Sequence, residues 1–218
     1  AAGALRGLLT IKPQLGLLFP LLLLVERNWR AIAAAALSTG AILAVTAWLW
    51  GPETWSAYLS QGIANQSRVL SDPERLGAPF MPTLFMNLRT IGVGVSAAMV
   101  AQAVAAVLAA GLICWAFWRR RVDQRTGAAL FLAAAMVATP YMLSYDSLAF
   151  ATAMLLAAPP GSRGRALSYA AYFLVLIQLA LGNIGIPGAA LIPLVAAIYL
   201  TKLAASSTWV DQRNCPTG

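Results

Sequence analysis

Residues 127–158 read GAALFLAAAMVATPYMLSYDSLAFATAMLLAA, and this stretch decides the fold of the chain. Its 32 residues are apolar except near the middle, where residues 139–146 read TPYMLSYD. One membrane-spanning helix needs about 20 apolar residues, so the stretch is too long for one span and short for two spans with a turn. Because proline interrupts a helix, the pattern predicts a helical hairpin that turns at residues 139–146, near or below one membrane surface.

The composition of the whole chain agrees with a membrane location. Of its 218 residues, 60% are hydrophobic and only 10% are charged, and the mean hydropathy is +0.74. A soluble domain carries about a quarter charged residues, and a disordered chain is poor in apolar ones. The absence of histidine from the sequence excludes His-ligated metals and Ser-His-Asp triads. Cys114 lies in an apolar run and Cys215 in a polar tail, which argues against a disulfide framework and a zinc site.

Other apolar windows add further spans to the two arms of the hairpin. They cover residues 7–25, 31–50, 91–118, 167–181 and 187–201, which gives about seven spans in total. The sequence therefore predicts an all-α, polytopic transmembrane helix bundle with broken or re-entrant helices on its outer side. Residues 1–205 form the predicted transmembrane domain, including a long outer connection at 51–90, and residues 206–218 form a short cytoplasmic tail.

The charges predict how this bundle is oriented. When the junction at residues 26–30 is placed in the cytoplasm, the inner segments hold ten basic and three acidic residues, a net of +7. The outer segments then hold five basic and four acidic residues, a net of +1. This asymmetry follows the positive-inside rule. It predicts the orientation of the spans, and it explains the overall charge of +8 without a nucleic-acid partner. The expected location is the inner cell membrane, with several passes.

Lys12 lies within an apolar run, directly before Pro13. A lysine inside a span costs roughly 3 kcal/mol on insertion scales unless it reaches the surface or meets an anion. One interpretation is a lysine whose ammonium reaches the outer interface. The other is a ligand for a phosphate held at membrane depth, with Pro13 bending the segment around a cavity.

Asp146 lies in the predicted turn of the hairpin, below the outer surface if the short returning arm spans the membrane. A carboxylate at that depth needs a partner, and the candidates are Lys12, Arg89 or a sugar hydroxyl. The alternatives are a structural ion pair and an N-cap, because aspartate is favourable at the start of a helix.

The outer connection at 51–90 is far longer than a helix connection requires, and such loops are usually functional or disordered. Aromatic residues lie within this connection and just before it. They fit either a belt at the lipid headgroups or an interfacial helix that shapes a groove for a lipid-borne ligand. Within or beside the spans, Gln102, Gln178 and Asn183 are predicted to make interhelical hydrogen bonds. The sequence has no glycine-rich phosphate loop, so an enzyme of this kind would use an activated donor that resides in the membrane.

Three stretches resemble bacterial glycosyltransferase family 87. Residues 7–18, GLLTIKPQLGLL, followed by ERNWR at 26–30, resemble its G-L-x-x-x-K-P-x-x-G-L-L…R-x-W-R stretch. Thr139-Pro140-Tyr141 with Tyr145-Asp146 is similar to a later T-P…Y-D segment, and GPETW at 51–55 is similar to the opening of the family's outer loop. The motifs are short and lie between residues 7 and 146, and we expect the resemblance to cover nearly the whole chain.

The resemblance implies a GT-C-type, mannosyltransferase-like enzyme that depends on a polyprenyl-phosphate-linked sugar. It would move a hexose to a lipid-linked or glycan acceptor on the non-cytoplasmic face, among membrane lipids, without a cofactor or a metal. The residues implied near the donor phosphate are Lys12, Gln14 and Arg89. Those implied to line the pocket are Pro13, Tyr141, Tyr145 and Asp146.

The sequence departs from the family in one respect. Enzymes of the GT-C type carry an acidic catalytic base in their first outer loop, and no such loop precedes Lys12. The chain therefore resembles the C-terminal portion of a family member. It is expected to lack N-terminal spans and to be inactive alone, and no residue is assigned as the base.

Two functions of other classes stay open at this point. One is a transporter or flippase segment, because discontinuous helices are also typical of transport pathways. The other is a non-catalytic membrane subunit. Transporters often contain internal repeats, and neither the K-P nor the P-Y…Y-D segment recurs in this sequence.

Overall fold

The computed structural model describes residues 16–72, 81–118, 122–157 and 162–213. Within these ranges the chain forms helices and no strand, which confirms the predicted all-α class. The α-helices are α1 (Phe19–Val25), α2 (Trp29–Trp50), α3 (Glu53–Ala57), α4 (Ile63–Ser71), α5 (Leu84–Thr90), α6 (Val95–Phe117), α7 (Gln124–Ala138), α8 (Leu148–Ala157), α9 (Ser162–Tyr172), α10 (Leu174–Asn183) and α11 (Leu191–Arg213). A π-helix at Tyr58–Gly62 joins α3 to α4, and a 3₁₀ helix at Ser144–Ser147 precedes α8.

Helix α7 is the centre of the bundle, where it packs against α6, α8 and α11. Most of its residues are buried, and many of them are alanine, so its neighbours approach closely on several sides. At Gly127, an added Cβ would lie 3.3 Å from the Phe117 ring and 3.2 Å from Val122. The small side chains of α7 thus determine how tightly the surrounding helices pack.

The predicted break in residues 127–158 is present. Helix α7 ends at Ala138, Thr139 has extended backbone, and the chain resumes helical structure in the 3₁₀ turn at Ser144–Ser147. Helices α7 and α8 pack against each other on either side of this break, as expected for a hairpin. Ser168 on α9 then donates to the Met154 carbonyl at 3.2 Å, which attaches the next helix to α8.

Helix α2 stands apart from this core. It contacts α1 and α3, and none of its most apolar 18-residue window is buried. Its start is capped by Asn28, whose side chain accepts from the Ala31 amide at 3.1 Å. After the turn at Gly51, which has a φ of +84°, Trp55 donates to the Thr46 hydroxyl at 3.1 Å and folds α3 back over the end of α2.

Two described helices, α2 and α6, are long and apolar enough to cross a membrane, with mean hydropathies of 1.9 and 2.2. A third span results if Gly164–Tyr172 and Leu174–Asn183 are taken together, although they are bent by 65° at Phe173. Helices α7 and Leu191–Ala205 of α11 are apolar but shorter. Two or three spans are therefore supported by length and composition in the described part of the chain, and the count of seven stays a prediction.

The start of α7 is fixed by Asp123. Its Oδ1 accepts from the backbone amides of Arg125 at 2.9 Å and Thr126 at 3.2 Å. Burial by itself would raise the pKa of the Asp123 carboxyl, but hydrogen bonds from Thr126 and Arg125 outweigh it and hold that pKa below its ordinary value. The ionised carboxylate is therefore the form that stabilises the helix.

Replacing Asp123 tests this cap. We expect Asp123→Ala to lower the free energy of unfolding in detergent by about 1 kcal/mol, because two helix amides lose their acceptor. The carboxylate's contribution is present above its ordinary pKa and is lost as pH falls from about 4 through the lowered pKa. Asp123→Asn keeps an acceptor, so it should retain the neutral-pH stability and lose this pH dependence. Equal stability of all three proteins at neutral pH would contradict the assignment.

Candidate functional site

The predicted pocket residues that the structure describes, Tyr141, Tyr145 and Asp146, follow the C-terminal end of α7, where the chain breaks and α5 meets α6. Five residues connect these segments, and we call them the Gln102 junction: Thr83, Phe85, Gln102, Val137 and Pro140. Thr83, Phe85 and Gln102 have no more than 2% of their surface exposed.

Gln102, on α6, holds two helix ends together. Its Oε1 accepts from the Phe85 backbone amide at 3.0 Å, and its Nε2 donates to the Val137 carbonyl at 2.8 Å. The first amides and the last carbonyls of a helix have no partner within the helix. Phe85 is in the first turn of α5 and Val137 in the last turn of α7, so one side chain satisfies a group of each kind. The predicted interhelical role of Gln102 is confirmed.

Thr83 makes the second connection across the junction. Its hydroxyl donates to the Pro140 carbonyl at 3.0 Å and accepts from the Met86 amide at 3.3 Å, so it caps α5 and ties it to the break after α7. Asn87 fixes the segment that leads into α5, because its Nδ2 donates to the carbonyls of Thr83 at 2.9 Å and Met81 at 3.3 Å. Both side chains are buried.

Tyr141 is half-buried at this junction. It packs against a small apolar cluster formed by Met81, Phe85, Met86 and Ala98, which belong to α5, α6 and the residues before α5. The Thr139 hydroxyl donates to the Tyr141 carbonyl at 3.0 Å and holds the backbone at the break. Tyr141 is thus part of the wall that joins the break to the outer connection.

Tyr145 and Asp146 follow in the 3₁₀ helix Ser144–Ser147, which packs against α10. The turn is closed by the Asp146 amide, which donates to the Leu143 carbonyl at 3.0 Å, and by the Ser147 hydroxyl, which donates to the Ser144 carbonyl at 2.6 Å. Ser144 and Ser147 are buried, whereas Tyr145 is 60% exposed. The anchored serines therefore leave the Tyr145 ring accessible beside a half-buried Asp146.

Arg89 is in the last turn of α5, and backbone carbonyls hold its guanidinium. Its Nη1 donates to the Val93 carbonyl at 2.7 Å and its Nη2 to the Ser71 carbonyl at 3.0 Å, which links α5 to the end of α4. The buried Nε has no hydrogen-bond partner. Because carbonyls are neutral, these two bonds orient the cation without neutralising its charge.

Four of the seven predicted site residues lie in the described part of the chain, on two connected segments. Arg89 lies on α5, and Tyr141, Tyr145 and Asp146 lie on the break. Lys12, Pro13 and Gln14 lie outside the described residues. Thr83 and Asn87 were not predicted, although a threonine directly before the apolar run LFM is a typical N-cap signal.

A large cavity lies at the opposite end of α7. Its volume is about 1150 Å³, and it is lined by Glu26, Arg27, Asn28, Trp118 and Asp123 among others. None of the four predicted site residues in the described part of the chain contributes to it. Among the described residues, no cluster of three or more His, Cys, Asp or Glu side chains could hold a metal ion.

Comparison with known families identifies one match. The model of glycosyltransferase family 87 matches residues 1–144, which is more than half of the chain and includes the Gln102 junction. Tyr145 and Asp146 follow directly after the matched stretch. No match is found among curated proteins or among solved structures.

Gln102→Leu tests the junction. The leucine would leave the Phe85 amide and the Val137 carbonyl without partners, and an unsatisfied buried group costs about 1–3 kcal/mol. We expect a loss of about 2 kcal/mol or more in the free energy of unfolding, with faster hydrogen exchange at Phe85. Gln61→Leu, at an exposed position on the π-helix, is the matched control and should change stability by less than about 0.5 kcal/mol. Slow exchange at Phe85 in Gln102→Leu would contradict the role of the amide.

Proposed function

Because the chain belongs to glycosyltransferase family 87, we propose that it forms part of a membrane enzyme that transfers a hexose, specifically mannose, from a polyprenyl-phosphate donor to a lipid-linked or glycan acceptor. The proposed reaction takes place on the non-cytoplasmic face of the inner membrane. The observation that carries the proposal is the arrangement around the Gln102 junction, where a cation and the accessible turn of the break are attached to the same end of the bundle.

Arg89 suits the phosphate of such a donor. Its carbonyl bonds to Val93 and Ser71 use two of its five N–H donors and fix the direction of the guanidinium. A phosphate oxygen is a strong acceptor for the remaining donors, and charge-assisted bonds of this kind are about twice as strong as neutral ones. In the proposed site, Lys12 and Gln14 complete the phosphate contacts, and Pro13 shapes the segment that carries them.

Tyr141, Tyr145 and Asp146 suit the sugar or acceptor side of the pocket. An exposed tyrosine such as Tyr145 offers an apolar ring face together with a hydroxyl, a combination that fits a sugar ring. Asp146 is held on a fixed turn, where its carboxylate can accept from a sugar hydroxyl. Tyr141 precedes this turn in the chain and packs against the α5 cluster.

The proposed chemistry is a single displacement that inverts the anomeric centre. The acceptor oxygen bonds to the anomeric carbon while the bond from that carbon to the phosphate oxygen breaks, and the phosphate leaves with the electron pair. A carboxylate base removes the proton of the acceptor hydroxyl. Arg89 and Lys12 stabilise the negative charge that develops on the leaving phosphate.

Replacing Arg89 in the full-length protein tests this assignment. Loss of a charge-assisted bond of 1.5–3 kcal/mol lowers kcat/KM by about ten- to a hundredfold. We expect that decrease for Arg89→Gln in transfer of labelled mannose from polyprenyl-phosphomannose, and partial recovery in Arg89→Lys. Arg68→Gln, at an exposed position on the same outer connection, should transfer at the wild-type rate.

A purely structural Arg89 would give a different result, because it also ties α5 to Ser71. Thermal unfolding in detergent is therefore measured on the same samples. If Arg89→Gln lowers stability while kcat/KM for the donor stays at the wild-type value, Arg89 does not bind the phosphate. If the wild-type protein transports the lipid-linked sugar without transferring it, the enzyme proposal fails as a whole.

Cysteine labelling tests the proposed orientation, with Cys114 and Cys215 first replaced by serine. Ser67→Cys, on α4 in the outer connection, should react with a membrane-impermeant thiol reagent in intact cells, because the positive-inside rule places this segment outside. Arg165→Cys, at an exposed position on α9, should react only after permeabilisation. The reverse pattern would invert the topology and move the site to the cytoplasmic face.

A further inference from the structure

An open groove of about 580 Å³ runs between α6 and α11, with α7 as its floor. Val104 and Leu108 of α6 form one wall, and Leu194 and Ile198 of α11 form the other. These aliphatic walls are open to the surroundings, because Val104 is 54%, Leu108 69% and Ile198 51% exposed. In the membrane placement proposed above, exposed aliphatic walls of this kind face lipid tails, which are as apolar as leucine.

The two ends of the groove differ in charge. One end, at Pro82 and Leu84, adjoins the Gln102 junction and is apolar. The other end is formed by Thr201 and Lys202. Of the residues that line the groove, all of them in the described part of the chain, Lys202 alone carries a charge, and its side chain is exposed. The lining is therefore amphipathic, with a cation at one end of an otherwise apolar groove.

The length of the groove corresponds to one leaflet of a bilayer. Leu191 and Lys202 are eleven residues apart on α11, which is about 16 Å along a helix. The hydrocarbon core of a membrane is about 30 Å thick, so a chain lying in the groove extends through about half of it. A phospholipid has these dimensions and this polarity.

The position of Lys202 also determines how a lipid would lie. The polar headgroup must be at the charged end, which is the end away from Pro82, Arg89 and the break. A sugar donor with its phosphate at Arg89 would have the opposite orientation, so the groove is a poor match for the donor's head. In the proposed topology, Lys202 is on the cytoplasmic side, where anionic headgroups attract basic residues.

We propose that this groove binds one anionic phospholipid of the cytoplasmic leaflet, with the lipid phosphate at Lys202 and an acyl chain between α6 and α11. The proposal rests on the membrane placement in the proposed function, and it is independent of the transfer reaction. The bound lipid covers the exposed aliphatic walls and neutralises the cation. It thereby stabilises the packing of α6 and α11 on α7.

The test compares dioleoyl phosphatidylglycerol with dioleoyl phosphatidylcholine, which have the same acyl chains. Binding of each lipid to the purified full-length protein is measured by native mass spectrometry. We expect phosphatidylglycerol to bind more tightly, and Lys202→Gln to weaken its binding about fivefold, the usual contribution of one basic residue near an anionic surface. Lys202→Arg should keep the preference. Arg165→Gln removes a charge outside the groove and should leave binding unchanged.

A second pair of variants tests the groove itself. Val104→Trp fills the space between α6 and α11 and should weaken binding of both lipids. Val100→Trp adds the same bulk at an exposed position of α6 outside the lining and should have no effect. The proposal is overturned if Lys202→Gln or Val104→Trp binds phosphatidylglycerol like the wild type. It is also overturned if the wild type binds none because another segment or a second copy covers the groove.

Sugar transfer is measured on the same preparations, which separates the two proposals. Lipid binding that depends on Lys202 in a protein without transferase activity would contradict the proposed function and leave the lipid site standing. Transfer at the wild-type rate without a preference for phosphatidylglycerol would contradict the lipid site and leave the proposed function standing.

Discussion

The two hydrogen bonds of the buried Gln102 amide are the interaction on which the arrangement at the C-terminal end of α7 depends. A helix that stops inside a protein leaves amides or carbonyls without partners, and inside a membrane no water can replace them. Helix α5 begins and α7 ends at the same place, and the Gln102 side chain satisfies one group of each. Because both bonds come from one residue of α6, the three helices keep a fixed geometry. This fixed geometry determines where Arg89 and Tyr141 lie relative to each other.

The core around α7 supports this geometry in a different way. Its alanines and Gly127 let α6, α8 and α11 pack closely, and close-packed interiors resist displacement. Helix α7 contributes few polar groups and none of the predicted site residues. The predicted site residues that the structure describes lie beyond its end, on α5 and on residues 139–146. The molecule therefore separates a closely packed centre from the end at which those residues lie.

Several of these features follow from the sequence for identifiable physical reasons. The break after α7 was predictable because Pro140 interrupts a run too long for one span. The role of Gln102 was predictable because an amide in an apolar run must find partners. The same reasoning was wrong for Asn183, whose amide donates to the Leu179 carbonyl of its own helix at 2.7 Å, at an exposed end where no second helix is required. The contacts of Arg89 with Ser71 and Val93 depend on how two turns approach each other, which no local pattern encodes.

Side chains satisfy the backbone carbonyls of the irregular segment after α7. Non-helical backbone at membrane depth is tolerated only where protein or a cavity satisfies its polar groups. Gln102 donates to the carbonyl of Val137, Thr83 to that of Pro140 and Thr139 to that of Tyr141. Side chains thus satisfy carbonyls that lose their helix bonds where the chain breaks, so the break is a defined structure.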